Sequence, residues 1–156
     1  MSFIVSSLPI EPFAPLFALD DAALAQRGML RVVADAPFAF PCRVTLDDAA
    51  PGETLILLNH QHQPADTPFR ASHAIYVREA ARASASTTDA LPPALRRRLL
   101  SLRGFDAAGM LRDADVVEGA VAAPVIARML ADPNVAYLHA HFAKPGCYAA
   151  RIDRAA

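Results

Sequence analysis

Thirteen prolines are scattered along the 156 residues, and they set the scale of every regular element the chain can build. Proline fixes its own φ and lacks a backbone N–H. It breaks a helix interior at a cost of about 3 kcal/mol and is tolerated in sheets only at edges and bulges. The chain is therefore divided into short strands, turns and brief helices. Its length fits one domain, residues 1–156. With 54% hydrophobic residues it can build a core without disulfides or a structural metal.

Between the prolines the pattern alternates between strand and turn. FIVSS (3–7) reads as a strand from its Phe and β-branched residues. DDAALAQRG follows as a brief helix, with Asp20 accepting the free N–H groups at its start and Gly28 beyond its end. MLRVVAD (29–35) and CRVTL (42–46) read as strands around the turn APFAFP. Pro51 and Gly52 turn the chain into the apolar run TLILLNH, and HAIYVRE (73–79) alternates as the next strand. EAARASASTTDALPP reads as a surface connection, and LPPALRRR as a helical turn started by proline.

The stretch from Leu99 to Glu118 has two readings: a hairpin with Asp106 and Gly109 at the ends of a type I turn, or an extension of the preceding helix. APVIARMLADP is the clearest helix, with Pro124 in its first turn and Asp132–Pro133 ending it. VAYLHAHFA and CYAARIDR close the chain as two strands. Strands and helices without regular βα alternation predict an α+β fold with a largely antiparallel sheet and two or three short helices.

Charge and composition exclude several classes. The net charge is −1, so there is no basic field to hold a nucleic acid or an anionic membrane. Arg96, Arg97 and Arg98 form the one basic run, which reads as a solvated face. Two cysteines are too few for a secreted disulfide scaffold. MSFIVSSLPIEPF lacks the positive start of a signal peptide, and no apolar run is long enough to span a membrane. A cytoplasmic, reduced protein is expected. No P-loop, dinucleotide fingerprint or paired-cysteine zinc spacing is present.

PCRVTLDDAAPGETLILLNHQHQPADTPFRASHAIYVRE (41–79) and HAHFAKPGCYAARIDR (139–154) together resemble the bacterial family called domain of unknown function 1203. KPGCYAARIDR is the most distinctive part. The resemblance implies a bacterial, soluble, one-domain protein and brings no assigned activity or catalytic residue.

The residues themselves offer three candidate features. His60 and His62, and likewise His139 and His141, stand two apart and would project to one face of a strand. Four imidazoles on neighbouring strands could hold one transition metal ion such as zinc; the alternative is four histidines hydrogen-bonded on a polar sheet face. Leu138, Ala140 and Phe142 would then face the core, with Tyr137, His139 and His141 towards solvent or a pocket.

Cys147 is the second feature, a candidate nucleophile with His141 as its base. A type II turn centred on Pro145–Gly146 would pair Lys144 with Cys147 and His141 with Ala150. The cysteine would then lie on the core side, opposite the histidines. Third, the loop NHQHQPADTPFRAS is longer than a tight hairpin needs. Arg70, with Arg78 and Glu79, could grip a carboxylate or phosphate, or could serve an internal ion-pair network.

Three functions are compatible with these features. The first is a domain that binds a small anionic molecule in a polar pocket lined by His62, Arg70, Arg78, Glu79, Tyr137, His139 and His141. The second is a metal-dependent enzyme using His60, His62, His139 and His141, and the third a homodimeric interaction module.

Overall fold

The computed structural model describes all 156 residues. In chain order its elements are β1 (Phe3–Ser6), α1 (Asp21–Gln26), β2 (Leu30–Val33), β3 (Thr54–Gln63), β4 (Ala71–Arg78) and β5 (Ser86–Thr88). They continue with α2 (Pro93–Arg96), β6 (Leu99–Phe105), β7 (Leu111–Glu118), α3 (Ala123–Ala131), β8 (Tyr137–Phe142) and β9 (Tyr148–Arg154). No strand contains a proline. Pro93 and Pro124 instead occupy the first turns of α2 and α3, where no intrahelical N–H is required.

The fold is α+β and dominated by sheet. Six strands form an antiparallel sheet in the order β5-β1-β9-β8-β6-β7, and three form a second in the order β2-β3-β4. One face of the larger sheet carries Leu100, Leu102, Leu138, Ala140 and Ile152, which pack with Ile126, Met129 and Leu130 of α3 in the main core. The smaller sheet has its own core, where Ile56, Leu58, Ile75 and Val77 meet Phe13, Leu16 and Leu24.

Local chemistry accounts for most boundaries. Asp20 caps α1 by accepting the Ala23 N–H at 2.8 Å. The 99–118 stretch is the hairpin β6–β7, not a helix extension, because Asp106 organises its turn. Its backbone oxygen accepts the Gly109 N–H, and its carboxylate accepts those of Ala108 and Met110. α3 ends where Asp132 turns extended ahead of Pro133.

The structure corrects the expectation at several places. Residues 42–46 are not a strand. The Cys42 sulfur accepts the Val44 and Thr45 N–H groups at 3.4 Å each, which curls the β-branched segment into a turn. β3 runs through His62 to Gln63, further than the apolar run suggests. The surface connection contains β5, and Ala14–Ala18 forms a 3-10 helix.

The 142–147 connection also differs from the expected type II turn. Gly146 donates to Phe142 O and Phe142 to Cys147 O, so four residues form the loop. His141 pairs with Tyr148 and Ala140 with Ala150, with a bulge between them. Cys147 still falls with Phe142 in the main core.

Two glycines test the packing. A Cβ on Gly119 would lie 2.0 Å from Leu95 O and 2.9 Å from the Arg98 backbone oxygen, and neither can retreat without moving α2 or β6. Gly52 has φ +92° but open space around it. Gly119→Ala should lower the unfolding free energy by more than about 3 kcal/mol, whereas Gly52→Ala should lose only about 1–2 kcal/mol from backbone strain. Urea unfolding midpoints check the order; equal losses would contradict it.

Candidate functional site

Two polar regions flank the β8–β9 hairpin. The first is a layer of aromatic and imidazole rings between the sheets. His139 and His141 project from β8 on the face opposite the main core, and His62 reaches them from the end of β3. Ring centroids lie 4.9 Å apart for His62–His141 and 6.0 Å for His62–His139. Tyr148, paired with His141 across the hairpin, is the hub: His62 stacks on it at 5.2 Å, His139 meets it edge-on at 5.2 Å, and His141 lies 5.9 Å away.

The two histidine pairs therefore do meet, through His62. His60 lies further along β3, with its ring 6.1 Å from Phe13 and 6.4 Å from Tyr148. No group of three or more histidine, cysteine or carboxylate side chains is arranged to hold a metal ion. The face of β8 expected to look towards solvent or a pocket is covered: His139 is 4% exposed and His141 1%.

Burial determines the charge of these rings. Desolvation lowers the pKa of His62 to about 4 and those of His139 and His141 to about 3, with mutual repulsion among the imidazoles adding to the shift. All three are neutral at pH 7. His141 Nδ1 lies 2.9 Å from Gly146 O; a carbonyl can only accept, so Nδ1 carries the proton. The Nδ1 atoms of His62 and His139 are buried without a partner.

The second region is a cavity of about 700 Å³ at the loop end of the hairpin, where the 142–147 segment meets β3, β4 and the 97–99 segment. Phe38, Tyr76, Leu99 and Phe142 give it apolar walls. Its polar lining is cationic: Arg43, Arg97, Arg98 and Lys144, with Glu118 as the one carboxylate. Arg97 and Arg98 are engaged by Asp48, whose side chain is only 3% exposed, and Arg98 grips both of its oxygens. His73 also lines the cavity. Its Nδ1 accepts the Ala74 N–H at 3.1 Å, so its Nε2 is the donor.

Arg43 is the unusual member, being 2% exposed. Its Nε donates to Tyr148 O at 2.7 Å, Nη1 to Pro41 O at 2.5 Å, and Nη2 to the Cys147 sulfur at 3.0 Å. Phe142 presents its ring to the guanidinium at 4.8 Å and to that of Arg98 at 5.1 Å. No carboxylate touches Arg43, and three of its five N–H groups are used. Burial lowers its pKa from the ordinary arginine value, and the two cysteines oppose that shift.

The residues named from sequence are thus divided. Tyr137 joins the ring layer and accepts a hydrogen bond from Gln63 Nε2 at 2.9 Å. Arg70 lies on the exposed 64–70 loop beside Asp66, and Arg78 is held by both oxygens of Glu53. Glu79 is exposed near Glu53 and Arg82. These three form no pocket with the histidines: Arg70 pairs with Asp66 on the loop, and Arg78 and Glu79 lie at the opposite end of the β3–β4 pair from His62.

Cys147 lines the cavity, whereas His141 faces the ring layer, so the candidate nucleophile–base pair is not formed and the cysteine lies opposite the histidines, the side that strand parity predicts. The 96–98 run is not simply solvated, since Arg97 and Arg98 build a cavity wall. Arg43, Lys144, His73 and Phe142 stand in no spacing that signals a binding role, and the sequence gives Lys144 and Phe142 only places in the β8–β9 hairpin. The one signal for Arg43 was its place within CRVTL, an arginine among residues suited to a core.

Residues 39–154 match the family model described as protein of unknown function, DUF1203. No curated protein and no solved structure matches the chain.

The neutral histidines predict acid sensitivity. Their folded pKa values lie below the unfolded value of 6.5, so the unfolded chain binds more protons in between. Stability is full above pH 6.5 and is lost as pH falls towards 3. Going from pH 7 to pH 5 should lose roughly 2 kcal/mol for each of His139 and His141. Urea titrations at the two pH values should show this loss, and His139→Gln or His141→Gln should each reduce it. An unchanged loss in both variants would refute the assignment.

Proposed function

The chain belongs to the DUF1203 family, and from its geometry we propose that it binds a small organic anion with an apolar body. The cavity beside the β8–β9 hairpin is the site. The observation that carries this reading is Arg43: a buried guanidinium in the cavity wall with no carboxylate partner and with N–H groups to spare. A buried charge without a counter-charge is expensive, and an anionic group entering the cavity would relieve that cost.

The rest of the lining suits the same ligand. Lys144, the chain's single lysine, stands at the cavity with no carboxylate bound to it. Phe38, Tyr76, Leu99 and Phe142 take up apolar surface, and the volume of about 700 Å³ falls in the range of small-molecule sites. Phe38 adopts φ +55°, a conformation unfavourable for a bulky side chain, and it remains 62% exposed at the cavity with Arg97 over its ring at 4.5 Å.

Thermal-shift measurements with paired monocarboxylates and their primary amides test this. A ligand that binds only the native state at a hundred times its Kd adds about 2.7 kcal/mol of stability. The acids should raise Tm and the isosteric amides should not, and Lys144→Glu should abolish the difference. Equal shifts from acid and amide, or full retention in Lys144→Glu, would contradict the proposal.

A further inference from the structure

We propose that the cavity selects anions whose apolar body is a planar aromatic ring, and that Phe38 is the residue that makes the selection. The inference rests on the anion-binding reading and narrows its ligand to aromatic carboxylates.

Three aromatic side chains from separate segments line the cavity: Phe38, Tyr76 and Phe142. No two of them pair with each other. Tyr76 leans on Phe40 with centroids 5.2 Å apart, while Phe38 and Phe142 have guanidinium groups over their faces. Arg97 lies 4.5 Å from the Phe38 centroid, and Arg43 and Arg98 lie 4.8 and 5.1 Å from that of Phe142. The wall is thus built largely of planar groups, rings and guanidinia, set around a volume of about 700 Å³. A flat π system can lie against either kind of plane, because both rings and guanidinium groups attract it. A saturated ring removes as much apolar surface from water but gains nothing beyond that burial.

Phe38 is the member of this set placed for contact with a ligand. Its φ of +55° is a left-handed conformation that glycine adopts without strain and a bulky side chain does not. Arg98 Nη2 anchors the segment by donating to the Phe38 backbone oxygen at 2.9 Å. The strain serves no packing: the residue is 62% exposed and belongs to none of the three hydrophobic cores. Phe142, 3% exposed, is fixed wall by contrast. An aromatic ring held in strain and left open at a cavity is the arrangement of a ligand clamp.

Calorimetric titration of the full chain compares benzoate and phenylacetate with cyclohexanecarboxylate and cyclohexylacetate, and each acid with its primary amide. The saturated acids carry the same charge and at least as much apolar surface, so burial alone gives the aromatic acids no advantage. The aromatic acids should nevertheless bind roughly three- to tenfold more tightly. Phe38→Leu keeps an apolar side chain and should bind both kinds of acid equally, and Phe38→Tyr should restore the preference. In the wild type, NOEs between the ring protons of bound phenylacetate and those of Phe38 give a readout that needs no variant.

Equal affinity for aromatic and saturated acids, an aromatic preference that Phe38→Leu retains, or absence of those NOEs would overturn the inference. If both kinds of acid outbind their amides without preference between them, the anion site stands and only the ring selection fails. If no acid binds more tightly than its amide, the anion reading fails with it.

Discussion

Arg43 takes a positive charge into the interior and meets no carboxylate there. Its three hydrogen bonds reach three separate places: the preceding turn at Pro41, the backbone of β9 at Tyr148, and the sulfur of Cys147. Its own backbone N–H is bound to Tyr76 of β4. Backbone and side chain together let this one residue tie the small sheet, the 38–43 segment and the end of the large sheet's central hairpin. Removing it would leave two carbonyls and a sulfur buried without a donor, the kind of loss that destabilises more than the net worth of the bonds.

The hairpin that receives this arginine has different chemistry on each side. Towards the smaller sheet, Tyr148, His139 and His141 form a layer that is polar in composition but uncharged, because burial disfavours the protonated imidazoles and neighbouring cations and imidazoles add to that effect. Phe142 and Cys147 point the other way, and with Leu57, His73 and Tyr76 of the smaller sheet they line the cavity where the cationic groups gather. The rings between the sheets are neutral, with Arg103 and Arg151 at their margin, while Arg43, Arg97, Arg98 and Lys144 gather at the cavity, where a ligand or solvent can answer them.

Strand periodicity and turn residues made much of the scaffold legible. The β6–β7 hairpin, α3 with its proline start, and β1, β2, β4, β8 and β9 follow from local pattern. CRVTL misled because its β-branched residues suit a strand, while the competing acceptor, the Cys42 sulfur, is invisible to propensity. The hairpin register failed by the residues of a four-residue loop and a bulge, although the side on which Cys147 falls survived.

The histidine pairs could be seen as neighbours on their own strands, and the structure joins them through His62. The cavity could not be read, because its cations come from three segments far apart in sequence, Arg43, the 97–98 pair and Lys144, with His73 added from a fourth. Apart from the 96–98 basic run, none of these positions belongs to a pattern. Only the packing of the two sheets brings them around one volume.

Whether the buried guanidinium receives an anion separates a ligand site from a purely structural arginine. The Arg43 Nε–H resonance, assigned in ¹⁵N-labelled protein by comparison with Arg43→Lys, reports this directly. Titration with an apolar monocarboxylate should move that resonance along a saturable curve, with the amide analogue leaving it in place. A resonance that stays fixed under saturating acid, or moves equally with the amide, would show that Arg43 serves the fold alone.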